Sequence, residues 1–176
     1  MPDLLHSLSM NRIDHFAYEY DFLSNFLTVT VVFEGVAYMS VEHAYQASKT
    51  LLENKRTVFS LEFNPNLIAA QAKRLGRNLE LRDDWEKVKV PIMRDLLLQK
   101  FEHSVLKQKL LSTGDAYLEE GNWWHDVFWG VCHHRMEGKT CREPEHRPFG
   151  GNHLGYLLMD VRTHYGYSGT KFLVLQ

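Results

Sequence analysis

Along the chain the spacing of apolar positions changes from a period of two to a helical period at Ser40. Upstream, His15 to Tyr20 is aromatic-rich, and Val29 to Tyr38 carries the β-branched run Val29-Thr30-Val31-Val32 before a turn at Glu34-Gly35. Such segments predict two or three strands. From Ser40, Val41, Ala44, Tyr45, Ser48, Leu51 and Leu52 form one stripe, while Glu42, Gln46, Lys49 and Glu53 form the opposite one. That predicts a helix with Ser40 as its N-cap. A second helix is expected to open at Asn64-Pro65, with Pro65 in its first turn, and to close near Gly76; its stripe is Leu67/Ile68, Gln71/Ala72 and Leu75. A third runs from about Asp83 to Phe101, with Trp85, Val88, Ile92, Met93, Leu96, Leu97 and Phe101 inward and either a kink or a restart at Pro91. Val105 to Leu111 reads as a short helix and Tyr117-Leu118 as a brief strand. Gly121 to Gly151 shows neither period and reads as a long loop. Leu154, Leu157, Leu158, Val161 and Tyr165 then mark a final helix at i, i+3, i+4, i+7 and i+11.

These elements predict a single domain of several helices with two or three strands near its start. The 176 residues suit one core, and neither a repeat nor a Pro/Gly/Ser linker divides them. The expected boundaries are an extension at 1–12, the domain at 13–166 and a tail at 167–176. Composition changes this picture little. Twenty basic against 22 acidic residues leave a formal charge of −2, which disfavours wrapping nucleic acid mainly by counterion release and leaves room for a local basic pocket. No apolar run approaches the roughly 18 residues of a membrane helix, so no membrane association is expected. The two cysteines, Cys132 and Cys141, and the absence of a signal-peptide pattern lead to an expected reducing, cytoplasmic location.

Candidate chemistry clusters at a few points. Phe22-Leu23-Ser24-Asn25-Phe26 sets two small polar residues between apolar anchors, either as an Asx-type turn or as a loop presenting Asn25 to a sugar hydroxyl. In Ser40-Val41-Glu42-His43 a capping-box acid would stand at position 43, so Glu42 lacks that structural task. It is either part of a solvated face with Gln46 and Lys49 or a general base in a cleft. Trp85 is core or a stacking plate for a base. Gly150-Gly151-Asn152-His153-Leu154-Gly155 leads into the last helix. It reads either as an anion site of backbone N–H groups or as a tight turn with Asn152 as N-cap and Gly155 permitting close packing. Lys73, Arg77 and Arg82 are the next candidates for a phosphate. His125, Cys132, His133, His134, Cys141 and His146 fall within 22 residues, but their spacing fits no standard zinc pattern, so no metal is expected.

Taken in order, Phe22-Leu23-Ser24-Asn25-Phe26, Ser40-Val41-Glu42-His43-Ala44-Tyr45-Gln46, Leu75-Gly76-Arg77, Arg82-Asp83-Asp84-Trp85, Lys100-Phe101, Leu111-Ser112-Thr113-Gly114, Trp129-Gly130 and Gly151-Asn152-His153-Leu154-Gly155-Tyr156-Leu157-Leu158-Met159 resemble the NADAR (NAD and ADP-ribose) family, also called YbiA-like. The series covers most of the chain, from about Phe16 to Arg162. The resemblance implies the α+β class, a compact, mainly helical domain with a small antiparallel sheet. It also implies N-glycosidase activity on ribosyl compounds, either early phosphoribosylated intermediates of riboflavin synthesis or ADP-ribose attached to guanine, including guanine in DNA. By motif, Glu42, Trp85 and Asp126 resemble the family's active-site glutamate, tryptophan and aspartate, with Asn25, Tyr45, Gln46 and Asn152 as lining residues. The substrate-binding set expected overall is Asn25, Tyr45, Gln46, Lys73, Arg77, Gly151, Asn152 and Gly155, with no cofactor. The chain departs from simpler members in the roughly twenty residues between Trp129-Gly130 and Gly151. Breaking a ribosyl C–N bond passes through an oxocarbenium-like state that a carboxylate stabilises, and Glu42 with Asp126 supplies two. The rival reading is a module that binds ADP-ribose or NAD without cleaving it.

Overall fold

The computed structural model describes residues 11–133 and 149–168. β1 (Arg12–Ile13) leads through a 3-10 turn at Tyr18–Leu23 to the hairpin of β2 (Val31–Phe33) and β3 (Val36–Tyr38). At its tip Glu34 and Gly35 both take positive φ, 47° and 79°, the backbone a two-residue turn between twisted strands requires. The helices α1 (Val41–Ala47), α2 (Glu53–Arg56), α3 (Ala69–Gly76), α4 (Trp85–Glu102) and α5 (Ser104–Ser112) follow. After them come β4 (Tyr117–Leu118), β5 (Gly121–Asn122), β6 (Val131–Cys132) and α6 (His153–His164).

The fold is α+β, as expected, but its strands form three separate pairs. β2 and β3 are antiparallel; β1 with β4 and β5 with β6 are parallel. β1 and β4 are far apart in sequence, and β5 and β6, though near, run in the same direction, so no hairpin signal announces either pair. His15 to Tyr20 is therefore no strand, and the segment from Gly121 contains two short ones.

Two helix boundaries differ from the periodicity, and α4 settles the choice left open at Pro91. α1 ends at Ala47, because the Ser48 hydroxyl donates to the Tyr45 carbonyl at 2.8 Å and the chain turns away. Leu51 and Leu52, expected on the buried stripe, are exposed. α3 starts at Ala69, four residues after Pro65. The preceding turn is held by Leu67 N–H on Asn64 O and by His43 Nε2 on Leu67 O, at 3.1 and 2.8 Å. Its buried face is consequently Ala69, Ala72 and Gly76, with Ile68 and Leu75 exposed. α4 runs unbroken through Pro91, whose ring lies on the solvent side.

α4 is the central beam. Met93, Leu96, Leu97 and Phe101 meet Leu23, Leu110, Leu118 and the α6 stripe Leu154, Leu157, Leu158 and Val161 in one core. The Tyr165 hydroxyl donates to Leu98 O at 2.7 Å and ties the end of α6 to the same beam. α1 packs against both α3 and α4, and all of its residues are buried.

Candidate active site

Ser40 caps α1: its hydroxyl oxygen accepts the His43 N–H at 3.4 Å and lies 2.8 Å from His43 Nδ1. His43 donates from Nε2 to Leu67 O, so Nδ1 is the acceptor for the Ser40 hydroxyl proton. With His43 filling the third helical position, Glu42 is left pointing the other way. Every residue of α1 is buried; the solvated-face reading of Glu42, Gln46 and Lys49 is incorrect, because α3 and the 121–129 segment cover that face.

Glu42 enters a cavity of about 940 Å³. Its backbone N–H donates to Asn25 O at 3.1 Å, and Gln46 Nε2 donates to Glu42 Oε1 at 2.7 Å. Burial pushes the Glu42 carboxyl up, with Lys73, the Gln46 hydrogen bond and Lys49 pulling it back and Asp126 adding to the rise. Asn25 sits in the loop before β2, where Phe26 N–H donates to Ser24 Oγ at 3.2 Å. The turn and the presented side chain coexist, since Asn25 lines the cavity and its Oδ1 is buried without a hydrogen-bond partner among the described residues. Gln46 Oε1 shares that condition. Unsatisfied buried acceptors are uncommon in folded proteins and mark where a ligand's hydroxyls fit.

One wall is aromatic. The Tyr45 ring lies between Trp85, 5.2 Å away and tilted by 49°, and Trp129, 5.4 Å away and perpendicular. Trp129 Nε1–H donates to Tyr45 Oη at 3.1 Å. Trp85 belongs both to the core and to the cavity lining, so the two readings of it are one position seen from two sides. Asp126 also lines the cavity. Its backbone is clasped by the Asn122 amide and its Oδ1 accepts the Trp129 N–H at 2.9 Å.

The rim is basic. Lys73 on α3 and Arg77 just past its end, one helical turn apart, line the mouth with Arg74, Lys49 and Lys89. Lys73 Nζ lies 5.8 Å over Phe26 and 5.5 Å over Trp124. Burial lowers the Lys49 ammonium from its ordinary value, with Glu42 opposing. Arg82, the remaining phosphate candidate, is spent on a two-point pair with Asp84.

Gly151, Asn152 and Gly155 do not join this group. The first N–H groups of α6 are already used: Gly151 donates to Val127 O, Asn152 to Gly130 O, His153 to Phe128 O and Leu154 to Trp129 O, at 2.8, 3.3, 3.2 and 3.0 Å. The expected anion cradle is thus closed by the carbonyls of 127–130. Asn152 takes φ 49°, its Nδ2 donates to Tyr117 Oη and Leu118 O, and its Oδ1 accepts Glu120 N–H. A Cβ on Gly155 would fall 2.1 Å from Leu118 O. This is the tight-turn alternative.

Sequence reasoning missed Glu120, which lines the cavity with its Oε2 buried and unpartnered among the described residues. Because β4 ends at Leu118 and the intervening Glu119 is buried as well, strand alternation does not single out Glu120. Burial, with Asp126 and Glu42 adding, raises its carboxyl to about 7 against the pull of Lys73 and Lys100. It also missed Trp123 and Trp124, both about half exposed at the mouth. Of the Cys/His-rich stretch, Cys132 Sγ lies 3.7 Å from His125 Nδ1 and His133 pairs with Glu119; His134, Cys141 and His146 lie outside the described residues.

Residues 13–165 match the NADAR domain family. The chain is 37% identical over 145 residues to the N-glycosidase YbiA of Escherichia coli, covering 82% of this chain and 81% of that protein. The NMR structure of E. coli YbiA superposes with a TM-score of 0.67 at 31% identity, over 93% of this chain and 92% of the other. A riboflavin biosynthesis protein of Vibrio vulnificus is 35% identical over 147 residues, 80% of this chain but 34% of that longer protein. The chain belongs to the NADAR family, and its class is that of the N-glycosidases, hydrolases of N-glycosyl bonds.

Proposed function

We propose that the protein hydrolyses the C–N bond between a 5′-phosphorylated ribose and a flat nitrogenous leaving group. The candidate substrates are an early riboflavin intermediate, releasing ribose 5-phosphate, and ADP-ribosylated guanine, free or in DNA, releasing ADP-ribose. The observation that carries this reading is the buried Glu42 carboxyl, held by Gln46 at 2.7 Å at the wall of a cavity that Lys73 and Arg77 also line. A carboxylate so placed stabilises positive charge developing at the anomeric carbon, and its preorganisation by Gln46 avoids rearrangement during the reaction. Once the leaving group has departed, the same carboxylate accepts a proton from the attacking water.

The other residues fit around that event. Lys73 and Arg77 bind the phosphate. Asn25 Oδ1 and Gln46 Oε1 accept from sugar hydroxyls. Trp85 packs the sugar or base against Glu42, and Asp126, whose Oδ1 is engaged by Trp129 N–H, adds negative potential beside it. The exposed rings of Trp123 and Trp124 give the leaving group an apolar face to stack on. The riboflavin-related name of the Vibrio relative supports the metabolite; the half-open aromatic rim supports the larger guanine adduct. Incubation separately with a phosphoribosylaminopyrimidine and with guanine-linked ADP-ribosyl DNA, with assay of free ribose 5-phosphate and ADP-ribose, tests the reading. Release of either sugar phosphate, lost in Glu42→Gln, is the expected result. Release of neither overturns it.

A further inference from the structure

We propose that Glu120 is the general acid of this site, passing its carboxyl proton from Oε2 to the departing nitrogen. The assignment rests on the N-glycosidase reading and completes it, since a neutral base leaves poorly as an anion. Glu120 is held from both sides of its backbone: its N–H donates to Asn152 Oδ1 at 3.0 Å and its carbonyl accepts Val131 N–H at 2.9 Å. Gly130 makes room for it, because a Cβ there would fall 2.2 Å from Glu120 O and 3.1 Å from its Cγ. The side chain therefore reaches the cavity from a fixed point, and Oε2 is buried with no hydrogen-bond partner among the described residues.

The three carboxyl groups of the cavity are differently equipped. Glu42 accepts an amide N–H from Gln46, a bond that favours its ionised form, and Asp126 Oδ1 accepts the backbone N–H of Trp129. Glu120 Oε2 accepts none among the described residues. The charges facing Glu120 are Glu42 from α1, Lys73 from α3, Lys100 from α4 and Asp126 from the 123–130 segment. The two carboxylates oppose its ionisation and the two lysines favour it. Burial outweighs the lysines and raises the group to about 7, so at neutral pH a large share carries the proton that the reaction consumes.

In the step itself the C–N bond breaks and its electron pair goes to nitrogen, which takes the proton from Glu120. Water then adds its oxygen to the anomeric carbon and gives a proton to Glu42. Exchange with solvent returns that proton to Glu120. Nothing is oxidised or reduced.

The test compares two leaving groups. A neutral amine or base needs the proton. The pyridinium of a pyridinium N-riboside 5-phosphate does not, because it departs as neutral pyridine. In Glu120→Gln the rate on the neutral-leaving-group substrate should fall about 10²- to 10⁴-fold, and the loss on the pyridinium substrate should be at least tenfold smaller. Glu120→Asp should recover part of the difference. The wild-type protein gives a reading free of folding effects: kcat on the first substrate should decline above about pH 7, and kcat on the second should not. Equal losses on both substrates, an undiminished rate on the first, or the same alkaline limb with both overturn the assignment. A wild-type protein that cleaves neither overturns the reading beneath it, and the assignment with it.

Discussion

Replacing Gly76 by alanine should damage catalysis from a position that does not itself line the cavity, by displacing Gln46. Gly76 closes α3 against α1, and a Cβ added to it would lie 1.8 Å from Gln46 Oε1, 2.6 Å from Gln46 Cδ and 3.0 Å from Gln46 Cβ. No side chain tolerates such distances, so the Gln46 amide has to swing away. Gln46 is 3% exposed, which leaves it few places to go. What it abandons is the 2.7 Å hydrogen bond to Glu42 Oε1. A hydrogen bond to a charged group contributes about 1.5–3 kcal/mol, which at about 1.4 kcal/mol per factor of ten corresponds to a loss of roughly 10- to 150-fold in kcat. The bond also lowers the Glu42 carboxyl, so losing it raises that group and moves the acid limb of the pH–rate profile to higher pH.

A double-mutant cycle separates this mechanism from general damage. Gly76→Ala and Gln46→Ala should each lose about the same factor, and the double variant no more than either, because the second change removes what the first displaces. Thermal unfolding should move little, as alanine is favoured over glycine in a helix by about 1 kcal/mol. The assay is release of ribose 5-phosphate or ADP-ribose over pH 5–9. Full activity in Gly76→Ala, or losses that multiply in the double variant, would refute the reasoning.

Glu42→Gln should abolish turnover yet leave the fold intact and more stable at neutral pH. A carboxyl raised by burial binds its proton more tightly folded than unfolded, so its cost appears as pH rises above the ordinary carboxylate range and vanishes below it; melting curves that converge toward low pH check the sign. Lys73→Met with Arg77→Met should raise KM for the 5′-phosphorylated substrate at least tenfold with kcat little changed, and an unchanged KM in titration would place the phosphate elsewhere. Trp85→Ala should cost about 3–5 kcal/mol in chemical denaturation and also raise KM, since the ring is both core and wall; a stability loss with unaltered kinetics leaves it only the first role. Leu158→Ala, fully buried in α6, should cost about 2–5 kcal/mol and leave KM unchanged.

What the sequence discloses of this site follows from how local its causes are. Ser40, Glu42 and Gln46 lie within seven residues on one helix, so capping chemistry and a period of 3.6 suffice to set Glu42 apart. The α6 stripe is legible for the same reason. The glycine-rich turn at Gly150 to Gly155 misleads because its N–H groups meet the carbonyls of Val127, Phe128, Trp129 and Gly130, more than twenty residues upstream, and no pattern in the turn encodes that meeting. The end of α1 escapes periodicity because one hydroxyl, that of Ser48, competes for the Tyr45 carbonyl. Whether a polar helical face is wet or lines a cleft depends on what else packs there. For α1 the cover comes from α3 and from a segment some eighty residues downstream.

The placement of charge also bears on the leaving group. The acids are interior: Glu42 is 5% exposed, and Glu120 Oε2 is inaccessible. The cations that match a phosphate stand outside them, Arg74 and Arg77 exposed and Lys73 half-buried. A phosphate keeps favourable solvation in that position, whereas a sugar has few charges to desolvate and can go inward. On the proposed function, a 5′-phosphorylated ribose would span from α3 toward Glu42, and that would set the direction of its C–N bond. That bond would then face the segment with Trp123 and Trp124, each about half exposed. Stacked there, the single ring of an aminopyrimidine would cover less of an indole than the two rings of guanine, whose strand neighbours would remain in solvent. The discriminating residues are accordingly the two tryptophans and not the acids: Trp123→Ala and Trp124→Ala should weaken the larger substrate more than the smaller, while Glu42→Gln removes turnover of both.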